Sequence, residues 1–390
     1  MKVGILGGGQ LGRMLALAGY PLGLRFSIYD AVHDAPAGHL APLTVGGFDQ
    51  YESLDRWADS LDVITYEFEN VPVEAAIHLA SRWPVSPPPA ALKNSQDRLV
   101  EKDFLRRLNV PTPQYRVADT LSDLREAIGV VGLPCVVKTR TGGYDGKGQL
   151  VVRSAGDVDS IGSHFNHDVR NLIVEQFVTF ERELSILAVR GKPQMTAGTL
   201  DERRVRTGGT PVQEKAEVKF YPLVENTHAG GILRRSVAPA PSMTPELQQL
   251  AESYAGRVLE ELDYVGVLAI EFFQLGDQLI ANEMAPRVHN SGHWTIEGAV
   301  TSQFENHVRA VAGLPLGSTA PVGHSIMLNL IGHIPSLRPL LGLAGVHVHL
   351  YGKEARTGRK VGHVTCRGET ANEVQEMARH VTAVIAGTMA

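Results

Sequence analysis

Three strand-like runs, Val3 to Leu6, Arg25 to Tyr29 and Val63 to Tyr66, alternate with helical stretches over the first hundred residues. Strands separated by helical crossovers pair in parallel, so the pattern predicts a doubly wound, Rossmann-like sheet. Gly7, Gly9 and Gly12 follow the first strand and open a helix, and Asp30 ends the second strand. That is the spacing of a dinucleotide-binding fingerprint, which taken alone points to a dehydrogenase. The same stretch fails as a P-loop: Arg13 stands where the phosphate-gripping lysine belongs, and Met14 where a magnesium-holding hydroxyl belongs. Two readings of the glycines stay open, a tight turn that packs helix on sheet and an anion site at the helix N-terminus.

The proline-rich stretch from Trp83 to Pro89 ends this unit, and Ser95 to Leu108 then reads as a helix broken by Pro111 and Pro113. From Tyr115 to Phe180 short strands and helices alternate, and hairpin-like pairs dominate from Glu183 to Met284, an α+β pattern. The tail holds strand-like His347 to Tyr351, a basic turn, strand-like Gly362 to Cys366 and a helix from Ala371 to about Ile385. A chain of 390 residues exceeds one ordinary core, so packed units sharing a cleft are expected. The expected division is 1–110, 111–185 and 186–390.

A net charge of -5 argues against a polyanion-binding surface, and so against nucleic acid as a partner. Gly7, Gly8, Gly9, Gly12 and Arg13 interrupt the apolar start, which therefore does not read as a signal peptide. No apolar run approaches the roughly 20 residues that span a bilayer, so no membrane role is expected. Cys135 and Cys366 have neither zinc-site spacing nor the density of a disulfide framework, and a reducing cytoplasm fits them.

The segment Gly142-Gly143-Tyr144-Asp145-Gly146-Lys147-Gly148 connects strand Cys135 to Thr139 with strand Gln149 to Arg153. It closes a hairpin, unlike the strand-helix turn of the first cluster. Four glycines let backbone N–H groups approach phosphate oxygens, while Lys147 and the strand residue Lys138 supply positive charge. A hinged cover over a triphosphate follows, against the blander reading of a surface hairpin. Val265 to Phe273 and Gln278 to Met284 read as two further paired strands, each placing one acid, Glu271 or Glu283, among apolar residues. Buried carboxylates need compensation, which magnesium shared with ATP phosphates would give, with Asn282 as a further oxygen ligand. Core salt bridges are the alternative.

Directly after Glu283 comes Ala285-Pro286-Arg287-Val288-His289-Asn290-Ser291-Gly292-His293-Trp294-Thr295, an irregular stretch rich in donors. Together with the Gly-Gly-Tyr-Asp-Gly-Lys-Gly segment it resembles the signature of the carboxyaminoimidazole ribonucleotide synthases. Further matches are Gly8-Gly9-Gln10-Leu11-Gly12-Arg13, Tyr66-Glu67-Phe68-Glu69-Asn70-Val71-Pro72, Gln96-Asp97-Arg98-Leu99 and Gly358-Arg359-Lys360-Val361-Gly362-His363. Six such matches in order run essentially from end to end.

The resemblance implies an ATP-grasp fold, mixed α/β and α+β, behind an N-terminal Rossmann-like (pre-ATP-grasp) domain, with the lid subdomain in 111–185 and the core in 186–390. It implies that ATP is held by Arg98, Lys138, the lid residues Gly142, Gly143, Tyr144, Asp145, Gly146, Lys147 and Gly148, the hinge Glu175, Gln176, Phe177 and Val178, Glu183 on the ribose, His228, and Asn282 with Glu283. Glu271 and Glu283 would hold magnesium. Bicarbonate would lie against Arg287, His289 and Asn290, where a planar guanidinium can grip a planar oxyanion at two points. Aminoimidazole ribonucleotide would meet Gln10, Glu67, Glu69, Tyr144 and Asp145, with its phosphate on Lys353, Arg359 and Lys360. Without the resemblance, the basic turn that also carries Arg356 reads as a solvated loop. The polar segment Asp201 to Lys215 is longer than the corresponding turn in some members and touches no motif.

The implied activity is that of a ligase in purine biosynthesis, a homodimer that phosphorylates bicarbonate to carboxyphosphate and passes the carboxyl group to the exocyclic amine of the ribonucleotide. A formate-using glycinamide ribonucleotide ligase and a biotin-dependent carboxylase are rivals of related kind. The stretch Arg287 to His293 favours bicarbonate over formate, and no biotin-carrier sequence is present. A dehydrogenase leaves the second glycine cluster and the paired acids unexplained, and a non-catalytic nucleotide-binding regulator would lose those acids.

Overall fold

A computed structural model describes residues 1–142, 148–165, 170–193 and 215–387. Strands β1 (Lys2–Leu6), β2 (Arg25–Asp30), β3 (Leu43–Val45) and β4 (Val63–Tyr66) form a parallel sheet in the order β3-β2-β1-β4. Their apolar runs are continuous rather than alternating, as strands covered on both faces require. Leu6 lies beside Tyr66 in the ladder, so the glycine turn after β1 and the acids after β4 emerge at the same edge of the sheet. Open parallel sheets place ligands at this edge.

A second sheet contains β5 (Tyr115–Ala118), β6 (Cys135–Thr139), β7 (Gln149–Val152) and β8 (Leu172–Gln176) in the order β5-β8-β6-β7. Lys138 and Glu175 sit on its strands β6 and β8. The helix Leu121–Val131 begins in a capping box between Thr120 and Asp123 and buries Leu124, Ala127 and Ile128 with β6 and β8.

The third sheet is antiparallel and long. It comprises β9 (Arg182–Arg190), β10 (Val218–Phe220), β11 (Val224–Ala229), β12 (Ile232–Ala238), β13 (Gly266–Leu275), β14 (Gln278–Ala285), β15 (His324–Ile331), β16 (Val346–Leu350) and β17 (Lys360–Gly368). Their order is β14-β13-β9-β11-β12-β15-β17-β16, with β10 also paired to β9. The pairing of β13 and β14 shifts after Glu271: Glu271 faces Glu283, whereas Phe272 faces Ala281. Asn282 is thus the extra residue of a β-bulge, a device that re-aims side chains beside it.

Two helical features differ from the sequence reading. The helix expected over Ser95 to Leu108 runs Arg98–Arg107, and a separate helix, Pro89–Ser95, precedes it. The later helix starts there because the Asp97 carboxylate accepts the Leu99 N–H at 2.8 Å and the Val100 N–H at 3.4 Å. The region expected to be hairpins, Glu183 to Met284, also contains the helix Pro245–Glu261. Thr244 caps it, Pro245 starts it, and Leu247, Ala251, Tyr254, Ala255, Val258 and Leu259 form its buried stripe.

The parallel and long sheets are joined by one core. Leu15 and Ala16 of the helix Gln10–Gly19 pack with Phe304, Val308 and Val311 of the helix Gln303–Ala312. Burying an aliphatic or aromatic side chain of this size contributes about 1.5–3 kcal/mol. The contact holds the first glycine turn beside the segment that follows β14.

Candidate active site

Helix Arg98–Arg107 turns Arg98, Glu101 and Lys102 toward the site, at the i, i+3 and i+4 spacing of one helix face. Arg98 donates to Glu283 at 3.2 Å. Glu101 is buried and accepts the Met284 N–H at 2.6 Å; its burial and then the charge of Glu283 push it up to about 8. Lys102, also buried, lies 3.3 Å from the Asn282 carbonyl oxygen and 3.3 Å from Glu175. Lys138 meets the same Glu175 oxygen at 2.9 Å. Burial acts to raise Glu175, but Lys102 and then Lys138 outweigh it and hold the carboxyl at about 2.

This buried trio makes a stability prediction. Glu175→Gln leaves two buried ammonium groups without their counter-charge and is expected to cost about 3–5 kcal/mol. A folded pKa below the unfolded one gives stability that is full above the usual glutamate range, near 4.3, and is lost as pH falls toward 2. Urea unfolding from pH 7 down to pH 3 should therefore show a steeper acid loss in the wild type than in the variant. Parallel curves would separate Glu175 from acid stability.

Beyond β8, the amides of Gln176 and Phe177 donate to the Gln114 and Pro134 carbonyl oxygens, at 2.8 and 3.3 Å, and Val178 follows them. Glu183 on β9 pairs with His228 on β11. Burial acts to lower His228, but the bond to Glu183 and the surrounding acids raise it above the usual value. Glu271 is pushed up by burial and by the charge of Glu283 opposite. Two carboxylates that repel one another, Glu271 largely buried and Glu283 partly exposed, fit a divalent cation, with Asn282 between Glu283 and β-paired Ala281 in the bulge. Among the described residues no group of three or more histidine, cysteine or acidic side chains could form a cage. Magnesium, which keeps waters and substrate phosphates in its shell, needs only one or two carboxylates.

The second half of the site lies at the edge of the parallel sheet. Arg287 pairs through Nε with Glu69 and donates from Nη1 to the Val288 carbonyl at 2.9 Å. Burial alone would raise Glu69, but Arg287 brings it to about 2. Arg287 Nη2 has no hydrogen-bond partner among the described residues. Both polar atoms of the Asn290 side chain are buried without partners. His289 is buried, and burial followed by the charge of Arg287 lowers it to about 3. Its Nε2 is 3.6 Å from Glu271 Oε1, so the two halves meet at these side chains.

The first glycine turn is already filled. Glu67 accepts the Gly9 N–H at 2.8 Å and the Gly12 N–H at 2.9 Å, and Asp30 accepts the Gly8 N–H at 2.5 Å. A Cβ on Gly9 would stand 2.4 Å from Glu67 Oε1, so a side chain there would push the carboxylate off these amides. The anion expected at this helix N-terminus is thus the protein's own carboxylate, and the fingerprint is not a cofactor site. Glu67 faces these amides and Glu69 faces Arg287.

At the C-terminal turn, Lys353 reaches back to Gln10 across 343 positions. The charge of Lys360 is felt at His289 and His293. Arg359 donates to the Glu354 carbonyl at 3.3 Å within the turn, and Arg356 pairs with Glu354 at the surface. Gly142 and Gly148 frame the second glycine cluster, at φ of 74° and 72°. Gly143, Tyr144, Asp145, Gly146 and Lys147 lie outside the described residues, as does most of Asp201 to Lys215. Sequence reasoning missed Glu101 and Lys102. Their signal was the charged face of a helix whose other buried positions are Phe104 and Leu105.

Comparison with known proteins agrees with this arrangement. Residues 1–96 match the ribonucleotide synthetase preATP-grasp domain, 103–199 and 211–304 the ATP-grasp domain, and 325–377 the phosphoribosylaminoimidazole carboxylase C-terminal domain. The N5-carboxyaminoimidazole ribonucleotide synthase of Pseudomonas aeruginosa is 48% identical over 385 residues, covering 99% of each chain. That of Brucella melitensis is 43% identical over 367 residues, 93% of this chain and 95% of the other. The crystal structure of the Thermus thermophilus synthetase superposes with a TM-score of 0.88 at 53% identity, covering 98% of each chain. The Aspergillus clavatus enzyme, solved with ADP and 5-aminoimidazole ribonucleotide, gives 0.86 at 30% identity, covering 99% of this chain and 98% of that one.

Proposed function

The chain belongs to the N5-carboxyaminoimidazole ribonucleotide synthase family of ATP-grasp ligases, and on that premise we propose how its residues carry the reaction. It is an ATP-dependent ligase that converts 5-aminoimidazole ribonucleotide to N5-carboxyaminoimidazole ribonucleotide in purine biosynthesis. In our reading the carboxyl donor is bicarbonate. A bicarbonate oxygen attacks the γ-phosphorus, ADP departs, and carboxyphosphate forms. The exocyclic amine then bonds to the carboxyl carbon as its bond to the phosphate oxygen breaks, and the amine proton leaves with phosphate. The observation that carries this reading is the approach of His289 to Glu271, which sets an acyl-binding cluster against the paired acids.

Arg287, oriented by Glu69, offers its Nη2 hydrogens to the bicarbonate oxygens, and Asn290 supplies a donor and an acceptor beside it. Arg98 and Lys138 bind the ATP phosphates in this reading, while Asn282, Glu271 and Glu283 would hold magnesium. Bound magnesium would neutralise charge on the transferring phosphoryl group. Glu183 and His228 meet the ribose, and residues 175–178 line the adenine site. Gln10, Lys353 and Lys360 bind the ribonucleotide, with Glu67 beside them on the amides of the glycine turn and Arg359 at the rim near its phosphate. The glycine segment 142–148, with Tyr144 and Asp145, covers the site and keeps water from a short-lived acyl phosphate.

A cytoplasmic homodimer completes the reading. The family resemblance supports the dimer, and two free, buried cysteines support a reducing compartment. No helix among the described residues is long and apolar enough to cross a membrane. The division into 1–110, 111–185 and 186–390 stands as part of the proposal; each part is built around one sheet, with β9 straddling the second boundary.

Isotope transfer tests the chemistry. With 18O-bicarbonate, one labelled oxygen per turnover should appear in inorganic phosphate, and only while the ribonucleotide is being consumed. Unlabelled phosphate released alongside N5-carboxyaminoimidazole ribonucleotide would eliminate carboxyphosphate.

A further inference from the structure

Beneath the acyl half of the site, a line of buried polar side chains crosses three strands of the long sheet. Ser236 on β12 lies beside Asn226 on β11 in the ladder, and Ser185 on β9 pairs with Glu271 on β13. The hydrogen bonds run from Ser236 Oγ to Asn226 Oδ1 at 2.8 Å, from Asn226 Nδ2 to Ser185 Oγ at 2.9 Å, and from Ser185 Oγ to Ser291 Oγ at 2.8 Å. Ser291 Oγ in turn lies 2.9 Å from His289 Nδ1. Ser185, Ser236 and Ser291 are fully buried and Asn226 nearly so.

A chain of hydroxyls can be polarised in either direction, and one fixed donor settles this one. The backbone N–H of Ser291 points at His289 Nδ1 at 3.3 Å. A backbone amide can only donate, so Nδ1 must hold a lone pair and the ring proton resides on Nε2. The Ser291 hydroxyl then donates to the same lone pair and accepts from Ser185. Ser185 must accept from the amide side of Asn226, and Ser236 donates to its oxygen. Every bond in the line has one donor and one acceptor in this direction. Reversing it would leave Nδ1 and the Ser291 amide both presenting protons to one another in a buried place.

We propose that Ser236, Asn226, Ser185 and Ser291 form a relay that locks His289 as an Nε2–H donor, aimed at the oxyanion of the acyl group. They are positioning residues, and His289 serves the reaction as a hydrogen-bond donor rather than as a base at Nε2. Its Nε2 stands 3.6 Å from Glu271 Oε1, too far for a hydrogen bond, so the proton is not spent on that carboxylate. This inference rests on the bicarbonate reading for the identity of the oxyanion. It does not depend on that reading for the tautomer.

Long-range proton–nitrogen spectra of the intact protein, with the His289 signals identified by their loss in His289→Gln, read the tautomer directly. The expected result is a protonated Nε2 and an unprotonated Nδ1 in the wild type. Ser185→Ala should leave Nδ1 unprotonated, since the Ser291 amide still donates to it. It should free the Ser291 hydroxyl and the ring to turn, and lower kcat about tenfold or more, the scale seen when an orienting partner is lost, with ATP affinity unchanged. Ser185→Thr, which keeps the hydroxyl, should restore kcat. An Nδ1–H signal in the wild type overturns the proposal, even if Ser185→Ala fails to fold. Normal turnover in Ser185→Ala overturns it as well. Failure of the bicarbonate reading would show instead as unlabelled phosphate from wild-type turnover, with the nitrogen spectrum still decisive.

Discussion

Glu283→Gln is expected to lower kcat by at least about 10²-fold while the chain stays folded, the scale of losing one electrostatic group at a charged transition state. Glutamine preserves the shape of the side chain and removes one of the two negative charges that the β13–β14 hairpin sets opposite each other. The fold should tolerate the change, because Glu283 repels Glu271 and helps to raise it. Arg98 loses its 3.2 Å partner, and the nearby Glu175 carboxylate remains to balance it. The deficit should therefore appear in nucleotide chemistry, as weaker magnesium affinity and a lost rate. Steady-state ADP release across a magnesium titration, with thermal unfolding of the same sample, makes the measurement. A near-normal kcat at saturating magnesium would remove Glu283 from the metal site.

The elements that could be read from sequence are those whose pattern is local. Val63 to Tyr66 is a strand at the expected residues because four consecutive apolar or small side chains are buried on both faces. The terminal helix also matches, Ala371–Ile385, since Thr370 caps it and its apolar stripe repeats at helical spacing. The helix Pro245–Glu261 had an equally local signal, Thr244 before Pro245, but the paired strands on either side dominated the reading. The bulge at Asn282 was written as a break in alternation, with Leu279 and Ala281 buried and then Met284. Only the register on β13 shows what the break does.

The site was legible where a motif names its chemistry and obscure where the partner is distant in sequence. The glycine fingerprint after β1 satisfies every spacing rule for a dinucleotide, yet its amides belong to Glu67, more than 50 residues on. Glu69 read as a substrate contact from its place at a strand end. Its carboxylate engages Arg287, 218 positions away, a pairing that its place in the sequence does not announce. Nothing local distinguishes Ser185 or Asn226 from ordinary strand residues, because their role exists only once β9, β11 and the turn at Asn290–Gly292 are side by side. Long-range pairing creates these functions, and a one-dimensional pattern does not record it.

Arg287→Lys should behave as a severe change although the charge is kept. Arg287 Nε is committed to Glu69 and Nη1 to the Val288 carbonyl, which leaves Nη2 to meet an oxyanion beside the unpartnered Asn290 side chain. A lysine ammonium is a point donor on a flexible stem, so it can satisfy Glu69 or an acyl oxygen but cannot hold both in one plane. Glu69 would then compete with the substrate for that ammonium. We expect kcat/KM for bicarbonate to fall about 10²-fold. ATP affinity should hold, because Arg98 and the Lys138–Glu175–Lys102 cluster lie on the other side of the paired acids. If the guanidinium chiefly stabilises charge that develops on carboxyphosphate, kcat falls; if it binds bicarbonate equally in the ground state, its apparent KM rises instead. Varying bicarbonate at saturating ATP and ribonucleotide, alongside nucleotide binding to the same variant, separates the two. Unchanged bicarbonate kinetics, or a defect confined to nucleotide binding, would move Arg287 out of the acyl half of the site.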